Sequence, residues 1–420
     1  MSRWSDFCIW WHVYPLGFTG APVRPTPPER ELTPRLDGLV GWLDYLVELG
    51  ANGLALGPVF TSETHGYDTV DFYSIDPRLG DDAAFDRLVA ACHERGINVM
   101  LDGVFNHVGT AHPLFQAAMG GDTQAQRLFR LEHTADGIRH GDFEGHQGLA
   151  ALNHDEPAVA DLVADVMRHW LRRGAVAWRL DAAYAVPPEF WARVLPRVRE
   201  EFPEAWFMGE VIHGDYADIV ARSGMDSVTQ YELWKAIWSS LADGNFFELD
   251  WTLQRHNDLL TSFTPMTFVG NHDVTRIASK IGGAGAALAV VLLFTVGGIP
   301  SIYYGDEQAF RGVKTERLGG DDEVRPAFPG RPEDLSSLGA PMLRLHQELI
   351  ALRRRNPWLT TARTTATHLD NRDYAYDVVG AGGQKLHVAL QLDPTPTAEI
   401  TDADGRVLTQ VNGAAYGHRP

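Results

Sequence analysis

Short apolar runs recur eight times along this chain with helical patterns between and after them, and that alternation leaves few folds open. The strand-like runs lie at residues 7–14, 53–56, 97–102, 175–180, 206–209, 226–229, 266–269 and 299–303. Helical patterns fall between and after them, at 36–49, 81–95, 156–173, 188–201, 231–241, 286–296 and 340–355. Strand-then-helix repetition demands parallel strands joined by right-handed crossovers, and eight such units close on themselves. The expected fold class is therefore α/β, a (β/α)8 TIM barrel. Two stretches break the rhythm. Residues 108–153 hold no long apolar run and scatter His112, His133, His140 and His146 among Gly and Asp, which predicts an inserted subdomain after strand 3. After Pro357 the texture turns to short Thr-, Val- and Gly-rich pieces, the pattern of a small C-terminal antiparallel β domain over 357–420. The barrel is then assigned to 1–107 and 154–356.

Charge narrows the partners. With 55 acidic against 36 basic residues the formal charge is −19, which repels phosphate backbones and anionic membranes, so neither a nucleic acid nor a membrane is an expected partner. Residues 281–304 carry no charge, yet they include five glycines and Pro300, and the dense apolar part, 286–296, is shorter than the ~20 residues a bilayer needs. A buried helix, a break at Gly297-Gly298 and a strand fit better. The N-terminus, Met-Ser-Arg-Trp-Ser-Asp, lacks a basic region followed by an apolar one, and Cys8 and Cys92 sit in apolar or helical runs as buried thiols. A cytoplasmic location is expected.

The strand ends carry the chemistry. Ala175-Val-Ala-Trp-Arg-Leu-Asp181 is a strand on which Arg179 and Asp181, two residues apart, face the same side. One such pair is ordinarily structural. Here, however, Asp102 with Asn106 and His107, Glu210, and His272 with Asp273 also end strands, and in a barrel these ends converge on one face. Carboxylates sharing a pocket with an arginine and histidines suit glycosidic cleavage, in which one carboxylate attacks the anomeric carbon and another protonates the leaving oxygen. Arg179 keeps its neighbour ionised, which makes Asp181 the nucleophile. Glu210 follows the apolar run 206–209, a setting expected to favour the protonated acid. Asp273, beside His272, is placed to hold sugar hydroxyls.

At these residues the chain resembles the α-amylase family of retaining glycoside hydrolases. Four short signatures match in order: Leu101-Asp-Gly-Val-Phe-Asn-His107, Trp178-Arg-Leu-Asp-Ala-Ala183, Gly209-Glu210 and Phe268-Val-Gly-Asn-His-Asp273, with further likeness at His65-Gly-Tyr-Asp68, Leu152-Asn153 and Gly298-Ile-Pro-Ser-Ile-Tyr-Tyr-Gly-Asp-Glu307. The resemblance implies Asp181 as nucleophile, Glu210 as acid/base and Asp273 as transition-state stabiliser. It implies that Asp102, His107, Arg179 and His272 bind the sugar in the cleavage subsite, with Tyr67 stacked on it. Asp322 and Arg325 would grip the next sugar. The implied substrate is a short or cyclic malto-oligosaccharide.

Two departures matter. Tyr184 and Ala185 stand where relatives acting on long α-1,4-glucans often have lysine and histidine, which leaves open whether water or a sugar is the acceptor and keeps a transglycosylase as the alternative. Ala185 also removes one usual calcium ligand. Asn106, Asp136 and Asp142 either supply oxygen ligands or cap loops, so no cofactor is required and calcium stays an open expectation. The scattered histidines lack the tight spacing of a zinc site. A non-catalytic carbohydrate-binding relative and a metal-dependent barrel hydrolase are the competing classes; the first usually loses a triad carboxylate, and all three are kept here. Oligomeric state is not encoded in any pattern we find.

Overall fold

The computed structural model describes residues 3–135 and 137–417. Eight short strands, β1 (Trp10–Val13), β2 (Gly53–Leu56), β3 (Asn98–Gly103), β4 (Ala177–Leu180), β5 (Trp206–Gly209), β6 (Ser227–Val228), β7 (Met266–Phe268) and β8 (Ile299–Tyr303), form one sheet in the order β6-β5-β4-β3-β2-β1-β8-β7. Read as a ring, that is chain order. A parallel bridge from Thr229 to Met266, with the Gln230 N–H donating to the Met266 carbonyl at 2.9 Å, follows β6 onto β7. This is the strand order of a (β/α)8 barrel. Every residue of β1, β2, β4, β5, β7 and β8 is buried. Strands covered on both faces need apolar side chains at nearly every position, hence continuous apolar runs rather than alternation.

The chain packs as two units, one comprising Val13–Leu43 and Leu54–Val228, the other the start of the chain through His12, Asp44–Gly53 and everything from Thr229. In the first unit, the helix Asp82–Glu94 starts where the Asp81 side chain accepts the Ala84 N–H at 2.8 Å. The helix Pro157–Arg172 opens with proline and buries Val159, Val163, Met167 and Trp170 on one face. Trp170 donates its indole N–H to the Phe72 carbonyl at 2.8 Å, which ties that helix to a hairpin of Phe60–Ser62 and Thr69–Ile75. The inserted segment is built from short pieces: helices Pro113–Met119 and Thr123–Arg127, a hairpin of Leu131–Thr134 and Gly137–His140, and a three-stranded patch of His107–Gly109, His146–Ala151 and Asp142–Phe143. The expected helix 36–49 is interrupted at Gly41-Trp42, giving Leu36–Val40 and Leu43–Leu49.

In the second unit the apolar helix runs Ile277–Thr295, and 89% of its most apolar window is buried, as in the core helix of a water-soluble domain. At Gly283 an added Cβ would stand 1.9 Å from the Tyr416 carbonyl, so only glycine lets the turn Gly413–Tyr416 lie against this helix. Residues from Arg363 to Asn412 form a five-stranded antiparallel meander whose inner rows, including Tyr374, Tyr376, Val388, Leu390 and Ile400, are buried.

Candidate active site

The register of β4 decides the geometry of the first unit's polar cluster. Arg179 pairs with Asp102 on β3 and Met208 on β5, so its guanidinium rises beside the ends of both neighbours. Nη1 donates to both Asp102 oxygens, at 2.7 and 2.6 Å, and to Asp181 Oδ1 at 3.1 Å. Nη2 lies 2.7 Å from Glu210 Oε1. All four side chains are nearly buried, at 9% exposure or less, so none of these charges is shared with bulk water. Burial by itself disfavours the guanidinium charge, yet Asp102, Glu210, Tyr67 and Asp181 raise its pKa well above the ordinary value. Three carboxylates therefore share one permanent cation.

Backbone detail fixes Glu210 further. The Ala182 N–H donates to Glu210 Oε2 at 3.0 Å, and Ala182 reaches that position with φ 44°, left-handed for a residue that is not glycine. A Cβ at Gly209 would come within 2.5 Å of Met225 Sδ, so glycine lets the strand run close to its neighbour just before the acid. The apolar residues of 206–209 are buried as expected, but the Glu210 oxygens meet a guanidinium and an amide, a correction to the apolar setting read from sequence.

Around this core the remaining residues fall into place. Tyr67 donates its hydroxyl to Asp102 Oδ2 at 3.1 Å. His107 donates from Nε2 to the Tyr67 carbonyl at 2.9 Å and accepts the Asn106 amide on Nδ1 at 3.1 Å, a neutral tautomer, and burial pulls its pKa down to about 4. Phe143, from the inserted segment, stacks on His107 at 4.9 Å, and its neighbour Glu144, at φ 51°, accepts the Tyr184 hydroxyl at 2.8 Å. The sequence reading singled out neither Phe143 nor Glu144, because a two-residue strand in a Gly-rich insertion leaves no periodic trace. It also passed over Asp76 and Arg78, a buried pair with contacts of 2.8 and 2.7 Å. Arg78 also holds the Pro22 and Thr64 carbonyls and so braces the loop that presents Tyr67. The spacing of two that flagged Arg179 and Asp181 was the available signal.

The second unit carries its own cluster at the end of β7. His272 Nε2 lies 2.9 Å from Asp273 Oδ2, and Arg325 donates to Asp273 Oδ1 at 2.9 Å and to the His272 carbonyl at 2.9 Å. Arg325 is further committed to Asp321 at 3.1 Å, while Asp322 sits exposed at the start of the turn Asp322–Val324. The proposed calcium donors are otherwise engaged: Asn106 on His107, and Asp142 as acceptor of the Gly145 N–H at 2.9 Å. Asp136 lies outside the described residues. Among the described residues no group of three or more His, Cys, Asp or Glu is arranged to hold a metal ion.

Comparison with known proteins now decides the family. The model of the α-amylase catalytic domain matches residues 28–141 and 140–334. The chain belongs to the α-amylase family. This α-amylase-family glycosidase is 28% identical to a cyclomaltodextrinase of Geobacillus thermopakistaniensis over 93% of this chain and 71% of that one. It is 32% identical to a 4-alpha-glucanotransferase of Thermotoga neapolitana over 66% of this chain and 67% of the other. Among solved structures, the ligand-free cyclic alpha-maltosyl-(1→6)-maltose hydrolase of Arthrobacter globiformis superposes with a TM-score of 0.82 at 25% identity, covering 98% of this chain and 99% of that one.

Proposed function

We propose that the protein hydrolyses α-glucosidic bonds in short or cyclic malto-oligosaccharides with retention of configuration. The observation that carries this reading is the single buried guanidinium of Arg179 holding Asp181 on one nitrogen and Glu210 on another. A double displacement needs two carboxyl groups facing one small space, about 5–5.5 Å apart. Asp181 attacks the anomeric carbon while Glu210 gives its proton to the leaving oxygen. Glu210 then takes a proton from the incoming water, which breaks the glycosyl ester and restores both groups. The resemblance to the α-amylase family makes Asp273 the transition-state stabiliser, and His272 and Arg325 fix its orientation. Asp102, Tyr67 and His107 line the cleavage subsite. Similarity to enzymes named cyclomaltodextrinase and neopullulanase supports substrates of this size, and similarity to an intracellular maltogenic amylase of Bacillus subtilis supports a cytoplasmic location.

Release of reducing sugar from maltotriose and β-cyclodextrin tests the reading, with Asp181→Asn and Glu210→Gln as controls; undiminished activity in both variants would refute it. Transfer to a sugar acceptor is the second reading, favoured by Tyr184. Its hydroxyl is tied to Glu144 and its ring stands 5.3 Å from the His213 ring, an aromatic surface suited to a second sugar. Products longer than the substrate at high maltotriose concentration would identify it.

A further inference from the structure

Four arginines are buried among the described residues: Arg78, Arg179, Arg276 and Arg353. Three grip a carboxylate. Arg78 forks onto Asp76 through Nε and Nη2 at 2.8 and 2.7 Å, Arg179 holds three acids, and Arg276 donates to Asp306 at 3.0 Å. Arg353 is different. At 5% exposure it donates from Nη1 to the Phe294 and Val296 carbonyls, at 3.1 and 2.9 Å, and from Nη2 to the Gly298 carbonyl. Those three carbonyls end the helix Ile277–Thr295 and lead into β8, so the side chain has a structural task as a cap. Carbonyls, however, supply dipoles and no counter-charge. Nε takes no part in these bonds, and the Nε–Nη2 edge is the one that forks onto planar or tetrahedral oxyanions, as Arg78 shows on Asp76. Burial without a counter-charge pulls the Arg353 pKa down to about 9.

Arg353 lines a cavity of ≈80 Å³ together with Asp6, Cys8, Arg354 and Thr360. Arg354 also lacks an acidic partner among the described residues: it donates from Nε to the Gly50 carbonyl at 2.8 Å and from Nη2 to the same oxygen. The acid in the lining is turned to other work. Asp6 takes the Arg3 N–H on Oδ2 at 2.8 Å, and its carbonyl accepts the Thr360 hydroxyl at 2.8 Å. At roughly 10–15 Å³ per water, such a cavity admits about half a dozen water-sized centres, enough for an ion of five heavy atoms.

We propose that this cavity is an anion site in which the guanidinium groups of Arg353 and Arg354 bind a phosphate group, free or carried on a small sugar. A buried cation without a counter-ion is costly, and an oxyanion on the open edge supplies the missing charge while leaving the three carbonyl bonds intact. The bound anion would also strengthen the joint between the helix Ile277–Thr295 and β8. Nothing in the glycosidase reading depends on this site, so either can fail alone.

The test is thermal unfolding of the full chain, titrated with sodium phosphate, with glucose 1-phosphate, and with sodium chloride at matched ionic strength. Phosphate is expected to give a saturable rise in Tm, about 3 °C at a hundredfold excess over Kd, which chloride does not reproduce. Arg354→Gln, a change at an exposed position, should weaken the apparent affinity about tenfold or more. Tighter binding of glucose 1-phosphate than of phosphate would assign the site to a sugar phosphate; equal or weaker binding would assign it to the free ion. A phosphate effect no larger than that of chloride, or one of the same size in Arg354→Gln, would overturn the proposal. A crystal soaked in tungstate gives a second readout independent of stability: density against Arg353 Nε supports the site, and its absence there at saturating tungstate contradicts it.

Discussion

Arg179 and Arg353 are both buried cations, and they solve the same problem in opposite ways. At the end of β4, three carboxylates crowd one guanidinium, leaving an excess of acid. At the end of the helix Ile277–Thr295, one guanidinium meets carbonyls alone. The contrast teaches what each region is for. Where negative charge exceeds positive in a buried setting, the surplus carboxylates are held apart from water and aimed, which is the requirement for a nucleophile and an acid. Where a cation caps carbonyls, the gain is in fold stability, and the residual charge is open to an anion.

The largest expected effect breaks the first half of the contrast. Asp181→Asn should lower kcat on maltotriose by about 10⁴ or more while leaving the fold intact, because the amide keeps the shape and loses the nucleophile. Arg179→Gln should cost activity and, in urea unfolding, about 3–5 kcal/mol, since it strands Asp102, which is fully buried, with its charge uncompensated. Arg353→Gln should cost less, about 2–3 kcal/mol, because the carbonyls lose charge-assisted donors but no carboxylate is left behind. Equal losses in the two arginine variants would dissolve the distinction.

Acid sharpens it from another side. Burial lowers the pKa of His107, His154, His256 and His346 to about 4, below the unfolded value near 6.5. Between those values the unfolded chain binds more protons than the native one, so stability falls as pH drops from about 6.5 through 4. Neither guanidinium titrates in that window, but the Arg353 charge helps hold the His256 pKa down, so the loss should be somewhat smaller in Arg353→Gln than in the native chain. Urea midpoints at pH 7, 5.5 and 4.5 check this. The smallest effect is expected for Tyr184→Phe. It removes one exposed hydrogen bond to Glu144, so kcat/KM on maltotriose should fall no more than about fivefold, with transfer products declining more than hydrolysis.

How much of this was legible in the chain follows from what each element needs. The eight strands were readable because burial on both faces forces continuous apolar runs, and the strand-end acids were readable because they interrupt such runs. The Tyr216–Ser223 helix was not, being eight residues long and burying only Tyr216 and Ser223, and the helix Phe247–Leu259 was passed over because charged residues dilute its apolar face. Glu210 was assigned correctly to the end of its strand, but its partners are fixed by register and by the left-handed turn at Ala182, which no linear spacing reports. Arg353 reads as one of three arginines closing a helix, 353–355, and only packing shows that it is buried and the others are not.

The most direct test is to incubate the enzyme with an activated 5-fluoro-α-glucosyl fluoride and locate the adduct by peptide mass spectrometry. A glycosyl ester on Asp181, accumulating in the native protein and absent from Asp181→Asn, is the predicted result. Turnover with no trapped ester, or an ester on a different carboxylate, would contradict the assignment of Asp181 as the nucleophile held by Arg179.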